Sequence, residues 1–132
     1  MCGGLYAHSA SYVIAKFKPT SHGVGCALGL PYTMAYNLPV STHRLARISA
    51  ALGEPTWRLS TAEAAERAIY SVVRLMRDIG LPVSLREYGI KESDLAEMAE
   101  LMIKLYYRPM NPRPMALEDS VVFWRKMWEG TI

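Results

Sequence analysis

Residues 20–36 read TSHGVGCALGLPYTMAY, which joins a histidine–glycine pair to a run of small apolar residues. Side chains of this size and polarity are typical of a helix that packs closely against neighbours on several sides. Pro31 lies inside the run, and because proline has no backbone N–H we expect a kink or a break there. The stretch therefore predicts a buried helix with His22 near its N-terminus.

A second histidine, His8, lies fourteen residues before His22 in the apolar segment 5–17. On one straight helix the two imidazoles would be roughly 21 Å apart and could not share an ion. Residues 18–21, Lys-Pro-Thr-Ser, suit a turn that would let the rings meet. Imidazole is the commonest protein ligand for metal ions, so the pair predicts half of a metal site. Spacing alone leaves open that both are ordinary surface or hydrogen-bonded histidines, since metal centres usually have three or four ligands.

Two helices are predicted in the middle of the chain. The sequence Asn-Leu-Pro at residues 37–39 is a stop signal, and Ser41 is the candidate N-cap of a helix that ends at Gly53. Residues 60–63, Ser-Thr-Ala-Glu, have the form of a capping box, and Gly80 closes the helix that follows. The apolar stripe predicted for this second helix comprises Ala62, Ala65, Ile69, Val72, Val73, Met76 and Ile79.

The C-terminal third predicts two more helices, over residues 94–106 and 117–129, because apolar residues recur there at helical spacing. No segment shows the convincing pattern of a strand. The predicted fold class is therefore all-α, a single domain over residues 1–132 that folds as a bundle of five to seven helices. The residues expected to point inward from the last helix are Val121, Trp124 and Trp128.

Composition argues against several classes of partner. The formal charge of +3 comes from 15 basic and 12 acidic residues spread along the chain, and no concentrated basic run indicates a nucleic-acid groove. No stretch approaches the roughly eighteen consecutive apolar residues of a membrane span. Cys2 and Cys26 form neither a disulfide framework nor a CxxC motif, which favours a reducing compartment, the cytoplasm. We expect Cys26 to be a small core residue and His43 to be exposed to solvent.

The order of these motifs resembles the C-terminal helical domain of the iron-containing (group III) alcohol dehydrogenases and of dehydroquinate synthase-like proteins. In the dehydrogenases a histidine is followed fourteen residues later by a His-Gly pair, and the corresponding positions here are His8, His22 and Gly23. The resemblance covers nearly the whole chain in one register. It continues through Pro31-Tyr32, Ala46-Arg47-Ile48, Ala51-Leu52-Gly53, Gly80-Leu81-Pro82 and Asn111 to Pro114.

The resemblance implies that His8 and His22 bind the catalytic divalent metal, Fe or Zn, of an enzyme that oxidises an alcohol or reduces an aldehyde or ketone with NAD(P). Tyr12 stands where many members have a histidine near the substrate, so it is the candidate catalytic residue, and the alternative is that its side chain only packs. The family holds NAD(P) mainly on an N-terminal domain. This chain has no Gly-rich phosphate loop after a strand, so no cofactor-binding residue is assigned. Two neutral imidazoles offer few donors and no negative charge, so the chain alone should bind metal weakly and be inactive.

Three origins are consistent with this resemblance: a fragment, a truncated gene product, or one half of a split enzyme whose nucleotide-binding part is a separate polypeptide. The absence of an N-terminal domain predicts an exposed apolar face around Leu5, Tyr6, Tyr12 and Val13, through which the chain would form a homo-oligomer. The alternative function is a catalytically retired helical module that persists for packing or association.

Overall fold

The structure of the protein is a computed structural model that describes residues 4–132. Within that range the chain is helical and has no strand, which confirms the all-α prediction. No helix in the range combines the length and apolar character that crossing a bilayer requires. The helices are α1 (Tyr6–Phe17), α2 (His22–Ala51), α3 (Thr61–Asp78), α4 (Leu85–Tyr88), α5 (Leu95–Leu105) and α6 (Leu117–Glu129), with one 3-10 turn (Glu92–Asp94) before α5.

Helices α1 and α2 cross at close range because two glycines of α2 face α1. A Cβ atom at Gly25 would lie 2.6 Å from Ser11 Oγ and 2.8 Å from Ser11 Cα. A Cβ atom at Gly29 would lie 2.8 Å from Ala10 Cβ. Side chains at these two positions would force the helices apart, so the glycines set the distance between the two backbones. The crossing fixes the N-terminal half of α2, and His22 with it, against α1.

Helix α2 bends at one of the two places predicted from the sequence. The break expected at Pro31 is wrong, because the backbone stays helical there, but the boundary expected at Ser41 is confirmed, since the helical segments on either side of Ser41 meet across a kink. Its non-helical backbone angles occur at Ser41, where φ is −132° and ψ is 18°. Each proline removes a single intrahelical hydrogen bond. Packing along the helix outweighs that loss, since Pro31 and Tyr32 are both buried.

Helix α2 contributes to two apolar clusters. The larger cluster joins the N-terminal half of α2 to α1, α4, α5 and α6, and its most deeply buried large side chains include Tyr6, Leu28 and Trp124. The smaller cluster lies between α2 and α3 and comprises Met34, Leu45, Ala65, Ala68 and Ile69. Only the larger cluster contains α1, so it supports the region that carries the predicted ligand histidines.

Helix α3 begins with the predicted capping box. Ser60 Oγ accepts from the backbone N–H of Glu63 at 3.2 Å, and the Glu63 carboxylate accepts from the backbone N–H of Ser60 at 2.8 Å. The predicted stripe is correct at its centre, where Ala65, Ile69 and Met76 are buried. It is wrong at its ends, where Ala62 and Ile79 are exposed. Periodicity fixes the angular position of a side chain but not how far the neighbouring helix extends alongside it.

Helix α6 buries a stripe shifted from the predicted one. Trp124 is fully buried as predicted and Trp128 is partly buried, but Val121 is 50% exposed. The Ser120 hydroxyl occupies the interface instead and donates to the Ala99 carbonyl at 3.0 Å. A stripe drawn from apolar residues alone misses such a polar position. The buried residues of α6 are Ser120, Phe123, Trp124 and Met127.

The exposed face predicted for α1 is only partly correct. Leu5 is 40% and Tyr12 is 43% exposed, whereas Tyr6 and Val13 are completely buried. Tyr6 and Val13 are seven residues apart, so they lie on one side of the helix, and that side packs into the larger cluster. Leu5 and Tyr12 each precede one of these residues, so they are turned by about 100° from the buried side, and no other part of the described chain covers them fully.

Candidate metal centre

Helices α1 and α2 bring His8 and His22 together. Helix α1 ends at Phe17, α2 begins at His22, and the chain reverses between them. In this turn the Thr20 hydroxyl donates to the Lys18 carbonyl at 2.7 Å. The centroids of the two imidazole rings are 5.1 Å apart, and the ring planes make an angle of 63°. Both side chains are exposed, so the two predicted ligands occupy one surface site where they could hold the same ion.

Cys26 adds a third donor to this site. Its Sγ atom lies 3.4 Å from His22 Nε2, and the nearest donor atoms of Cys26, His8 and His22 all lie within 4.8 Å of one another. The expectation that Cys26 is a core residue is therefore wrong. It is one helical turn after His22, which places both side chains on the same exposed stripe of α2. His43, in contrast, is exposed as predicted and takes no part in the group.

Ser11 holds the ring of His22 in one orientation. The buried Ser11 hydroxyl donates to the His22 carbonyl oxygen at 3.0 Å, and the same Oγ lies 3.0 Å from His22 Nδ1. A hydroxyl has one proton, so with that proton on the carbonyl its oxygen accepts from Nδ1–H. This tautomer leaves a lone pair on Nε2, the atom nearest to Cys26. A polar partner on the second ring nitrogen is the usual support for a histidine that binds metal.

Tyr12 forms an aromatic wall beside the histidines. Its ring centroid is 5.3 Å from that of His22, and the same ring stacks on Tyr106 at 5.5 Å with an interplanar angle of 17°. The guanidinium carbon of Arg108 lies 5.8 Å from the centre of the Tyr12 ring, and Arg108 Nε donates to Ser9 Oγ at 3.1 Å. Tyr106 and Arg108 come from the C-terminal third of the chain, and no local sequence pattern marks either of them. The wall leaves the Tyr12 ring partly exposed next to the donor group.

The donor group fits part of the coordination shell of a divalent metal. Imidazole suits iron and zinc, and thiolate suits zinc, so the residue types agree with either ion. The group within 4.8 Å contains His8, His22 and Cys26 and no carboxylate. Protein zinc sites are usually four-coordinate. At least one coordination position therefore remains for a donor that this group does not supply.

The three donors lie on an open surface. A cavity of about 310 Å³ lies beside α2 and α6, lined by Tyr32, Tyr36 and Phe123 among others, and none of the donors lines it. Two apolar side chains close to the donors in sequence, Leu5 and Leu30, are 40% and 39% exposed. A substrate pocket at the histidines would therefore need walls from further polypeptide.

Comparison with known proteins shows that this chain matches the C-terminal region of longer enzymes. A family profile described as the Fe-containing alcohol dehydrogenase family, C-terminal, matches residues 2–128. The 1,3-propanediol dehydrogenase of Citrobacter freundii is 40% identical over 82% of this chain and 28% of its own length. The NAD-dependent methanol dehydrogenase of Bacillus methanolicus is 36% identical over 89% of this chain and 31% of its own length. The lactaldehyde reductase of Escherichia coli strain K12 is 31% identical over 92% of this chain and 32% of its own length.

Solved structures give the same result. A crystal structure of 1,3-propanediol oxidoreductase matches with a TM-score of 0.87 and 35% identity, over 93% of this chain and 32% of the solved chain. An alcohol dehydrogenase from Oenococcus oeni matches with a TM-score of 0.86 and 36% identity over the same shares. The chain thus spans about a third of the length of the relatives it matches. It belongs to the Fe-containing alcohol dehydrogenase family, of which it corresponds to the C-terminal helical part.

Proposed function

We propose that this chain provides the metal-binding helical part of an NAD(P)-dependent alcohol dehydrogenase. The observation that carries the proposal is the convergence of His8 and His22, fourteen residues apart in sequence, at a centroid distance of 5.1 Å. The named activities of the relatives, on 1,3-propanediol, methanol and lactaldehyde, support a small alcohol or its aldehyde as substrate.

The residues of the site have distinct roles in this proposal. His8 and His22 hold a divalent ion, Fe or Zn, which when bound supplies Lewis-acid polarisation of the alcohol or carbonyl oxygen. Ser11 keeps the His22 ring in the tautomer that presents Nε2. Tyr12 borders the substrate, and its exposed phenol can donate a hydrogen bond or a proton to the substrate oxygen.

The remaining parts of the catalytic unit come from other polypeptide. The nicotinamide cofactor and the missing metal donors need a nucleotide-binding part, either in the same chain or in a separate cytoplasmic partner. Exposed Leu5 and Tyr12 flank the donors and provide an apolar surface for that part. The same surface supports the alternative, a retired module that pairs with a second copy of itself.

A chimera tests the proposal. The C-terminal third of the 1,3-propanediol dehydrogenase of C. freundii is replaced by this chain, and NAD reduction with 1,3-propanediol is measured. We expect the chimera to turn over its substrate, and we expect His8→Ala and His22→Ala each to abolish this activity. The control His43→Ala should retain it, because His43 is an exposed histidine outside the donor group. The chain alone should give no turnover. A folded, nucleotide-binding chimera whose activity is unaffected by His22→Ala would contradict the proposal.

A further inference from the structure

We propose that Cys26 is a third metal ligand, so that this chain carries a Cys-His-His site for thiophilic divalent cations such as Zn²⁺. The inference rests on the proposed function in one respect, namely that His8 and His22 hold a metal. It goes beyond that function because it assigns a donor and a metal preference to α2 itself.

The spacing of the donors fits one ion. In a tetrahedral site with bonds of about 2.0 Å to nitrogen and about 2.3 Å to sulfur, neighbouring ligand atoms lie roughly 3.3–3.6 Å apart. The distance of 3.4 Å between Cys26 Sγ and His22 Nε2 falls in this range. The donor atom of His8 completes a group that spans at most 4.8 Å. His8 is exposed, so a change of its rotamer can bring the ring closer by the remaining ångström or so without disturbing the core.

The helix crossing already holds two of these donors in place. His22 and Cys26 are one turn apart on α2, so the helix fixes the separation of their backbone positions. Ser11 orients the His22 ring so that its Nε2 lone pair is free. Less conformational entropy is therefore lost on binding than for three independent side chains.

The thiol can also supply the negative charge that two imidazoles lack. Two imidazoles alone offset none of the charge of a divalent cation, whereas a thiolate contributes one negative charge. On binding, the S–H bond of Cys26 is replaced by a metal–sulfur bond, and the proton passes to water. Sulfur is a soft donor that favours zinc over magnesium, calcium or manganese. Three donors from this chain leave at least one further position of the ion for the donors of the nucleotide-binding part or for the substrate oxygen.

The simpler interpretation is that Cys26 only makes an S–H···N hydrogen bond to His22. Cobalt(II) distinguishes the two, because a thiolate bound to cobalt gives a charge-transfer band in the near ultraviolet that imidazole ligands do not give. The full chain is prepared with Cys2→Ser, which leaves Cys26 as its sole thiol, and is titrated with Co²⁺ without oxygen. We expect saturable binding with this band, and we expect Zn²⁺ to displace the cobalt.

Variants in the same background assign the donors. Cys26→Ser and Cys26→Ala should both lose the band and weaken Co²⁺ binding by more than about 10-fold, the lower end of the loss caused by removing even an outer-shell partner. His22→Ala should lose binding as well. Circular dichroism checks that each variant keeps its helices.

The outcomes separate this inference from the proposed function. Cobalt binding that requires His8 and His22 but shows no charge-transfer band, and is unchanged in Cys26→Ser, would overturn the Cys26 ligand and leave the proposed function standing. No cobalt binding by the parent chain would also overturn the inference, whereas the proposed function would still be judged by the chimera. Cobalt binding that survives both His8→Ala and His22→Ala would instead count against the metal site of the proposed function.

Discussion

The close crossing of α1 and α2 makes a quantitative prediction about Gly25. Replacing Gly25 by alanine places a Cβ atom 2.8 Å from Ser11 Cα, a backbone atom that cannot rotate away. The helices must shift, and overpacking of this kind costs about 1–3 kcal/mol. Alanine has a higher helix propensity than glycine by about 0.5–1 kcal/mol, which offsets part of that loss. We therefore expect Gly25→Ala to lower the free energy of unfolding by about 1–2 kcal/mol.

Gly23 provides the matched control, because it lies in the same helix two residues earlier. A Cβ atom there meets no heavy atom within 4 Å. Gly23→Ala gains helix propensity without a clash, so we expect it to be unchanged or more stable by up to about 1 kcal/mol. The two variants should differ by about 2 kcal/mol in urea unfolding followed by circular dichroism. At roughly 4 °C per kcal/mol for a domain of this size, their melting temperatures should differ by about 8 °C.

A double substitution tests the cause of the loss. Ser11→Ala removes the Oγ atom that the new Cβ would meet at 2.6 Å, but Ser11 Cα remains at 2.8 Å. Ser11→Ala should therefore rescue little of the stability that Gly25→Ala loses. Equal stability of Gly25→Ala and Gly23→Ala, or full rescue by Ser11→Ala, would refute the conclusion that glycine sets the backbone distance at this crossing.

Three further predictions concern single hydrogen-bonded groups. Ser11→Ala in the otherwise unchanged protein should weaken cobalt binding by about 10–100-fold, because His22 loses its orienting partner; a metal titration measures this. Burial, and then the carboxylate of Glu87, raises the pKa of Tyr32 from 10.0 to about 12. The neutral phenol therefore stabilises the fold below pH 10, and this contribution of about 3 kcal/mol is lost as the pH rises from about 10 to 12. Tyr32→Phe should be less stable than the parent by about 1 kcal/mol at pH 7, because it lacks the bond to the Val83 carbonyl. Its stability should fall less steeply above pH 10 in urea unfolding; an identical fall in both proteins would contradict the assignment. Ser60→Ala should cost about 1 kcal/mol through loss of the α3 cap, measured by thermal unfolding, and no change would show that the cap does not limit stability.

The sequence predicted the helix boundaries better than the effect of Pro31. The capping box at residues 60–63 and the terminal glycines Gly53 and Gly80 act locally, and the structure confirms them, with φ of 84° and 75° at the two glycines. Pro31 misled the prediction because its effect depends on tertiary packing, which overrides a single lost hydrogen bond. Ser120 misled it because a polar side chain can be buried when it has a partner.

The site was also predictable only in part, because it depends on contacts between helices that local patterns do not encode. Spacing left His8 and His22 open to two interpretations, and the resemblance to a family favoured one of them. The i, i+4 spacing of His22 and Cys26 was the one local signal for the third donor, but cysteine in an apolar helix is more often a core residue. Ser11 and Tyr106 reach the site through contacts between helices, with Tyr106 more than eighty residues from His22 in sequence. No local pattern encodes such contacts.

In this site, the residues that set the contact between the helices are different from the residues that provide the metal donors. Gly25 and Gly29 hold the backbones of α1 and α2 together from the buried side of the crossing. Cys26 lies on the outward side, partly exposed, where a change of side chain alters the donor without altering the helix contact. A substitution at Cys26 should therefore change metal affinity with little effect on stability. A substitution at Gly25 should change stability, and should change affinity only as a consequence, because it moves Ser11 relative to His22. The two kinds of variant can thus show whether metal preference in this chain is set by one exposed side chain on a rigid helix pair.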